Sequence, residues 1–147
     1  GKPVLSPRDI PVIFDGERMV NEPLQVMEKE YRITAVSMGN PHAVVFCDEV
    51  QGLDLEKIGP FFENAPIFPE RVNTEFIRII SGAELEMRVW ERGSGETFAC
   101  GTGACGGAER ALQARRGNNR EAYMRKFNDN LCREFTHIYA RSGGKSL

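Results

Sequence analysis

Residues 84–107 constrain the fold most, because a strand pattern there runs through a glycine-rich loop directly into a helix pattern. Leu85, Met87 and Val89 alternate with Glu84, Glu86 and Arg88, the period-2 signature of a half-buried strand. Beyond the loop, Ala104, Ala108, Ala111 and Leu112 fall at helical spacing between Gly103 and Arg116. Glu109, Arg110, Gln113 and Arg116 take the other side, and Gly117 is placed as a C-cap. Cys100 therefore stands where strand and loop hand over to a helix N-terminus. Unpaired N–H groups and the positive dipole end there favour a thiolate and attract an anion. A buried, apolar role is the usual fate of an intracellular cysteine. The run Gly101-Thr102-Gly103 argues against it here, since its glycines let backbone N–H groups come close to a ligand.

With 147 residues and 41% hydrophobic content the chain can bury one core, so a single globular domain is expected. Formal net charge is −2, and the segment from Gly117 onward holds six basic against three acidic residues. That falls short of a basic stripe with interleaved aromatics, so no nucleic-acid partner is expected. No apolar run reaches membrane-spanning length and the N-terminus has no signal-peptide pattern, so a soluble cytoplasmic protein without a membrane partner is expected. Cys47, Cys100, Cys105 and Cys132, with only two histidines, fit neither a zinc site nor a disulfide framework. Reduced thiols and no metal are the expectation. Gly1 in place of Met reads as a processed or tag-derived start.

Along the chain, Pro3, Pro7 and Pro11 punctuate an extended lead-in expected to become a strand at Val12–Phe14. A strand is expected over Arg32–Ser37, a loop over Met38–His42, and a second apolar strand over Ala43–Cys47. Asp54 is placed to cap a short helix running through Glu63 despite Pro60, and Pro66 and Pro69 close that segment. Asn73–Ile80 and Glu84–Trp90 read as a hairpin across Ser81-Gly82-Ala83. Beyond Gly117, Tyr123, Met124, Phe127, Leu131 and Phe135 recur at helical intervals, predicting a second amphipathic helix before a frayed end from Arg141.

Other side chains are candidates beside Cys100. A Gly, Ser and Thr loop separates Glu91 from Cys100, so its carboxylate can fold back to tune or accept the thiol proton; otherwise it is a solvated turn residue. Arg92 offers a guanidinium fork suited to a substrate carboxylate, or is a surface charge. His42, bracketed by Gly39, Asn40 and Pro41, is a proton-handling candidate whose ordinary alternative is a hydrogen bond to nearby backbone. Asn40 and Asn73, at strand-loop junctions, can each offer a donor and an acceptor, although turn-forming asparagines are commoner than ligand-binding ones.

Three stretches in this order resemble the diaminopimelate epimerase family of cofactor-independent amino-acid racemases: Gly39-Asn40-Pro41-His42-Ala43-Val44, Arg71-Val72-Asn73-Thr74-Glu75-Phe76, and Trp90-Glu91-Arg92-Gly93 with Glu96-Thr97 and Ala99-Cys100-Gly101-Thr102-Gly103-Ala104-Cys105. The resemblance covers about Pro3 to Arg116 and only the C-terminal half of such an enzyme. It implies an α/β fold, a bent mixed sheet wrapped around the central helix that starts near Gly103. It implies that Cys100 is one of two catalytic acid/base thiols and that Glu91 and His42 adjust the cysteine pKa values. Asn40, Asn73, Glu91, Arg92, Gly101 and Thr102 would hold the substrate's amino and carboxylate groups. The reaction implied is interconversion of LL- and meso-diaminopimelate in lysine and cell-wall precursor synthesis, with no cofactor.

Two departures bear on activity. The half that supplies the opposing cysteine has no counterpart in these residues, and residues 118–147 lack the family's Met-Thr-Gly-Pro-Ala type of motif. Residues 1–117 are thus expected to form a C-terminal catalytic half-domain, followed by a non-matching, partly helical tail that reads like sequence replaced through a frameshift or gene truncation. Inverting a carbon without pyridoxal phosphate needs a base on one face and an acid on the other, and one thiol cannot serve both efficiently. Cys47, Cys105 and Cys132, assigned to strand core, helix interior and tail, are poor seconds. The expected partners are diaminopimelate and either the missing N-terminal half or another copy of this chain, since sheet edges left uncovered favour self-association. The alternatives are a catalytically silent binding or assembly remnant and a different amino-acid racemase or epimerase of the same fold.

Overall fold

Among the described residues only one neighbouring pair in the sheet is parallel, and a parallel pair needs a long crossover. In the computed structural model, which describes residues 4–80 and 85–97, that pair is β3 (Pro41–Phe46) and β4 (Asn73–Ile79). The crossover carries the helix α1 (Leu55–Glu63). The remaining strands, β1 (Glu22–Val26), β2 (Lys29–Ser37), β5 (Leu85–Glu91) and β6 (Gly95–Thr97), pair antiparallel, giving one six-stranded mixed sheet in the order β1-β2-β3-β4-β5-β6.

Asp54 starts α1 as expected, its Oδ1 accepting the Lys57 N–H at 3.2 Å. Pro60 sits inside the helix, where it supplies no N–H, and its carbonyl accepts both the Asn64 N–H and Asn64 Nδ2 near the C-terminus. The helix lies on one face of the sheet. Leu55 and Phe62 join Ile33, Ala35, Ala43, Val45, Phe76 and Trp90 in the main core, and Phe62 meets Tyr31 and Phe76 edge-on. Gly59 is the point of closest approach: a Cβ there would overlap the Trp90 indole. On the opposite face Val36, Val44 and Ile77 form a smaller cluster with Leu5, flanked by Phe46 and Met87.

The expected strands over 32–37, 43–47, 73–80 and 84–90 are present with boundaries moved by one to three residues, the last two pairing antiparallel as expected. Three local readings change. Val12–Phe14 is not a strand: the Val12 N–H turns back to the Ile10 carbonyl, and only the Ile13 N–H reaches across, to the Ile67 carbonyl. Val12 and Phe14 pack against the core without joining the ladder, while Ile13 is exposed. Two strands, β1 and β6, arise where none was expected. His42 lies within β3 rather than in a loop, because it pairs with Asn73 of β4.

The helix expected from Gly103, the amphipathic helix over 118–135 and the turn residues 81–83 lie outside the described residues. Among the described residues the sheet is accompanied by one α-helix, which covers one face; the central helix of the expected architecture falls in the undescribed part. No helix among the described residues is long and apolar enough to cross a membrane.

Candidate active site

Strand direction gathers the polar candidates at one end of the sheet. Because β3 and β4 are parallel and His42 is opposite Asn73, both strands begin at this end. Thr74 is opposite Trp90, so antiparallel β5 finishes there, with Glu91 and Arg92 beside Asn73. Asn40 stands in the short turn that feeds β3.

The turn after β5 is held by side chains from three directions. Gly93 takes a positive φ of 78°, and the Ser94 N–H closes back onto the Glu91 carbonyl at 3.1 Å. Asn73 is buried with both ends of its amide used: Oδ1 accepts the Arg92 backbone N–H at 3.0 Å, and Nδ2 donates to the Pro41 carbonyl at 3.4 Å. Glu63, at the end of α1, is also buried. Its Oε1 accepts from Gly93 N–H (2.8 Å) and Arg71 Nη1 (2.9 Å), while Oε2 accepts from the Trp90 indole N–H (2.8 Å). Such a carboxylate, with three donors converging on it, fixes the backbone from which Glu91 and Arg92 project.

Outside that anchorage, Glu91 Oε1 accepts the Thr97 hydroxyl at 2.7 Å, tying the turn to β6. Arg92 Nη1 donates to the Glu70 carbonyl at 3.0 Å. Both side chains are half-buried, within reach of solvent.

His42 is wholly buried. Its Nδ1 faces Glu75 Oε1 at 2.6 Å and its Nε2 faces Asn40 Oδ1 at 2.8 Å. Neither nitrogen is left to face a ligand, so anything His42 does at the site passes through Asn40 or Glu75. Glu75 is buried as completely, and its Oε2 has no hydrogen-bond partner among the described residues.

Of the sequence candidates, the structure brings together Asn40, His42, Asn73, Glu91 and Arg92. Cys100, Gly101 and Thr102 lie outside the described residues, as do Cys105 and Cys132. Cys47 is free, and burial pushes its thiol up to about 11, away from thiolate character at neutral pH. No group of three or more His, Cys, Asp and Glu side chains among the described residues is placed to hold a metal ion. Sequence reasoning assigned no role to Glu63 or Glu75. The signal for Glu75 is a carboxylate directly before the apolar pair Phe76-Ile77 in a predicted strand.

These features define an α/β domain with one mixed sheet and a polar site built on turns at one sheet end. A family model described as diaminopimelate epimerase matches residues 34–131. Among curated proteins, diaminopimelate epimerases of Agathobacter rectalis, Acetivibrio thermocellus and Desulfovibrio desulfuricans are 55%, 54% and 56% identical to the chain. Each alignment covers 71% of this chain and 39%, 38% and 39% of the respective relative. The chain belongs to the diaminopimelate epimerase family. It spans about two fifths of the length of the curated relatives it matches.

Proposed function

We propose that this chain supplies one half of a site that epimerises LL-diaminopimelate to meso-diaminopimelate through two cysteine acid/base groups, without a cofactor. The observation that carries the reading is the convergence of Asn40, Asn73, Glu91 and Arg92 on one sheet end, just ahead of Cys100, in a member of this family. The relatives' name favours diaminopimelate over another amino acid as substrate.

In this mechanism Cys100 works from one face of the substrate α-carbon. As thiolate it takes the α-proton while a thiol on the opposite face delivers another; in the reverse direction the two exchange roles. Each turnover returns the pair to the same total number of protons. Glu91 tunes the Cys100 proton, and His42 acts on the pair from behind Asn40. Asn40, Asn73 and Arg92, with the Gly101 and Thr102 backbone at the helix N-terminus, hold the substrate's amino and carboxylate groups. Asn73 contributes by fixing the Arg92 backbone as well as by its position.

The second thiol comes from an N-terminal half supplied as the rest of a longer chain or by a partner, with self-association as the alternative assembly. Residues 1–117 form the half-domain, the helix from Gly103 fills the concave side of the sheet, and residues 118–147 are a partly helical tail. We place the protein in the cytoplasm as a soluble enzyme component. The test is to mix the chain with the N-terminal half of a relative and follow meso-diaminopimelate formation from the LL isomer. Activity that requires both halves and is lost in Cys100→Ser is the expected result. Binding of diaminopimelate without turnover in any mixture would instead make the chain a silent binding remnant.

A further inference from the structure

We propose that Glu75 is a positioning residue: acting through His42, it fixes which end of the Asn40 side-chain amide faces the ligand. The proposal rests on the reading of Asn40 as a ligand contact. Val44 is opposite Glu75 across the parallel β3–β4 pair, so Glu75 and His42 share one sheet face as diagonal neighbours. Both are wholly buried, and the 2.6 Å contact between His42 Nδ1 and Glu75 Oε1 has the short length of a charge-assisted bond.

An ionised carboxylate only accepts, so Nδ1 carries a proton and donates it to Glu75. Glu75 Oε2 finds no hydrogen-bond donor among the described residues, which leaves the imidazole as the group that offsets this buried charge. A ring that offsets it carries a proton on Nε2 as well. That second N–H meets an acceptor, Asn40 Oδ1, at 2.8 Å. Asn40 is half-buried, and with its oxygen turned inward to His42 its NH2 group is the end turned outward. Asn40 is thereby set as a donor toward an anionic oxygen of the ligand, a carboxylate in this case. Were His42 to hold one proton only, on Nδ1, Nε2 would become an acceptor. The amide would then turn over and present its oxygen, suited to an ammonium group instead. One buried carboxylate thus selects between two ligand charges at a residue it does not touch.

The direct test is 15N NMR of histidine in the full chain, with the His137 signals identified from His137→Gln. The expected result is that His42 shows two protonated ring nitrogens in the wild type and loses the Nε2 proton in Glu75→Gln. An unprotonated Nε2 in the wild-type chain overturns the proposal. The functional arm uses the chain reconstituted with an N-terminal half. Glu75→Gln should raise KM for diaminopimelate on the order of 10–100-fold, the loss expected for a hydrogen bond to a charged group, with a smaller change in kcat. A kcat loss at unchanged KM overturns the positioning role. Absence of turnover in the wild-type mixture would count against the proposed function alone, leaving the NMR result to decide the role of Glu75.

Discussion

Removing the Glu63 carboxylate is the perturbation whose cost is best defined by the structure. Glu63 accepts from the Trp90 indole, the Gly93 backbone and Arg71. Arg71 is half exposed and returns to water when its partner goes, so its share is small. The other two donors are held by β5 and the turn after it, in a pocket closed by α1. Leaving a buried donor unpaired costs about 1–3 kcal/mol, so Glu63→Ala is expected to destabilise by roughly 2–6 kcal/mol against a typical total of about 5–15 kcal/mol. Glu63→Gln keeps the shape and one or two acceptor contacts, and should cost less. The assay is urea unfolding of the full chain, with amide hydrogen exchange at Gly93 as the local readout. Exchange at Gly93 should accelerate in Glu63→Ala even under conditions where the fold is intact. A loss below about 0.5 kcal/mol, the scale of an ordinary surface substitution, would refute the claim that this carboxylate holds the turn.

Other expectations follow from packing and from the thiols. Gly59→Ala forces a methyl into the Trp90 indole and should destabilise by about 1–3 kcal/mol, as overpacked cores do; thermal unfolding measures it. Alkylation by iodoacetamide near neutral pH should label Cys100 first, since burial holds the Cys47 thiol at about 11; faster labelling of Cys47 would contradict both assignments. Because the folded chain keeps the Cys47 proton to higher pH than the unfolded chain, whose thiol has the ordinary value of 9.0, the Cys47 contribution to stability should decline from about pH 9 to about pH 11. A Cys47→Ala variant should lose that decline in pH-dependent denaturation.

Much of the sheet is legible in the sequence because β2 and β3 carry apolar runs, β4 gathers Phe76, Ile77 and Ile79, β5 alternates apolar with charged residues, and α1 has an explicit cap at Asp54. β1 is not, since Glu22, Pro23 and Gln25 leave only Leu24 and Val26 to carry its pattern. Its turn uses Met27 at a positive φ of 54° instead of the usual Asn-Gly or Asp-Gly. β6 is three residues long and looks like loop. Val12–Phe14 has strand-like residues but no strand beside it to complete a ladder. At the site, the sequence points to Asn40, His42, Asn73, Glu91 and Arg92, yet it cannot reveal that His42 is sealed between Glu75 and Asn40. That arrangement depends on the β3–β4 register, a contact between residues 33 positions apart. Glu63 escapes notice for the same reason: its three donors come from Arg71, Trp90 and Gly93, distant in sequence and joined only by the crossover packing.

The measurement that bears most directly on the proposed half-site is α-proton exchange from diaminopimelate in deuterated water. Losing the acid or base on one face typically costs on the order of 100–10,000-fold, and losing half the positioning contacts adds several kcal/mol. The chain alone should therefore give negligible exchange, and exchange should appear when an N-terminal half is added. Robust exchange by the isolated chain, abolished by Cys100→Ser, would contradict the account by showing that these 147 residues contain a second proton carrier.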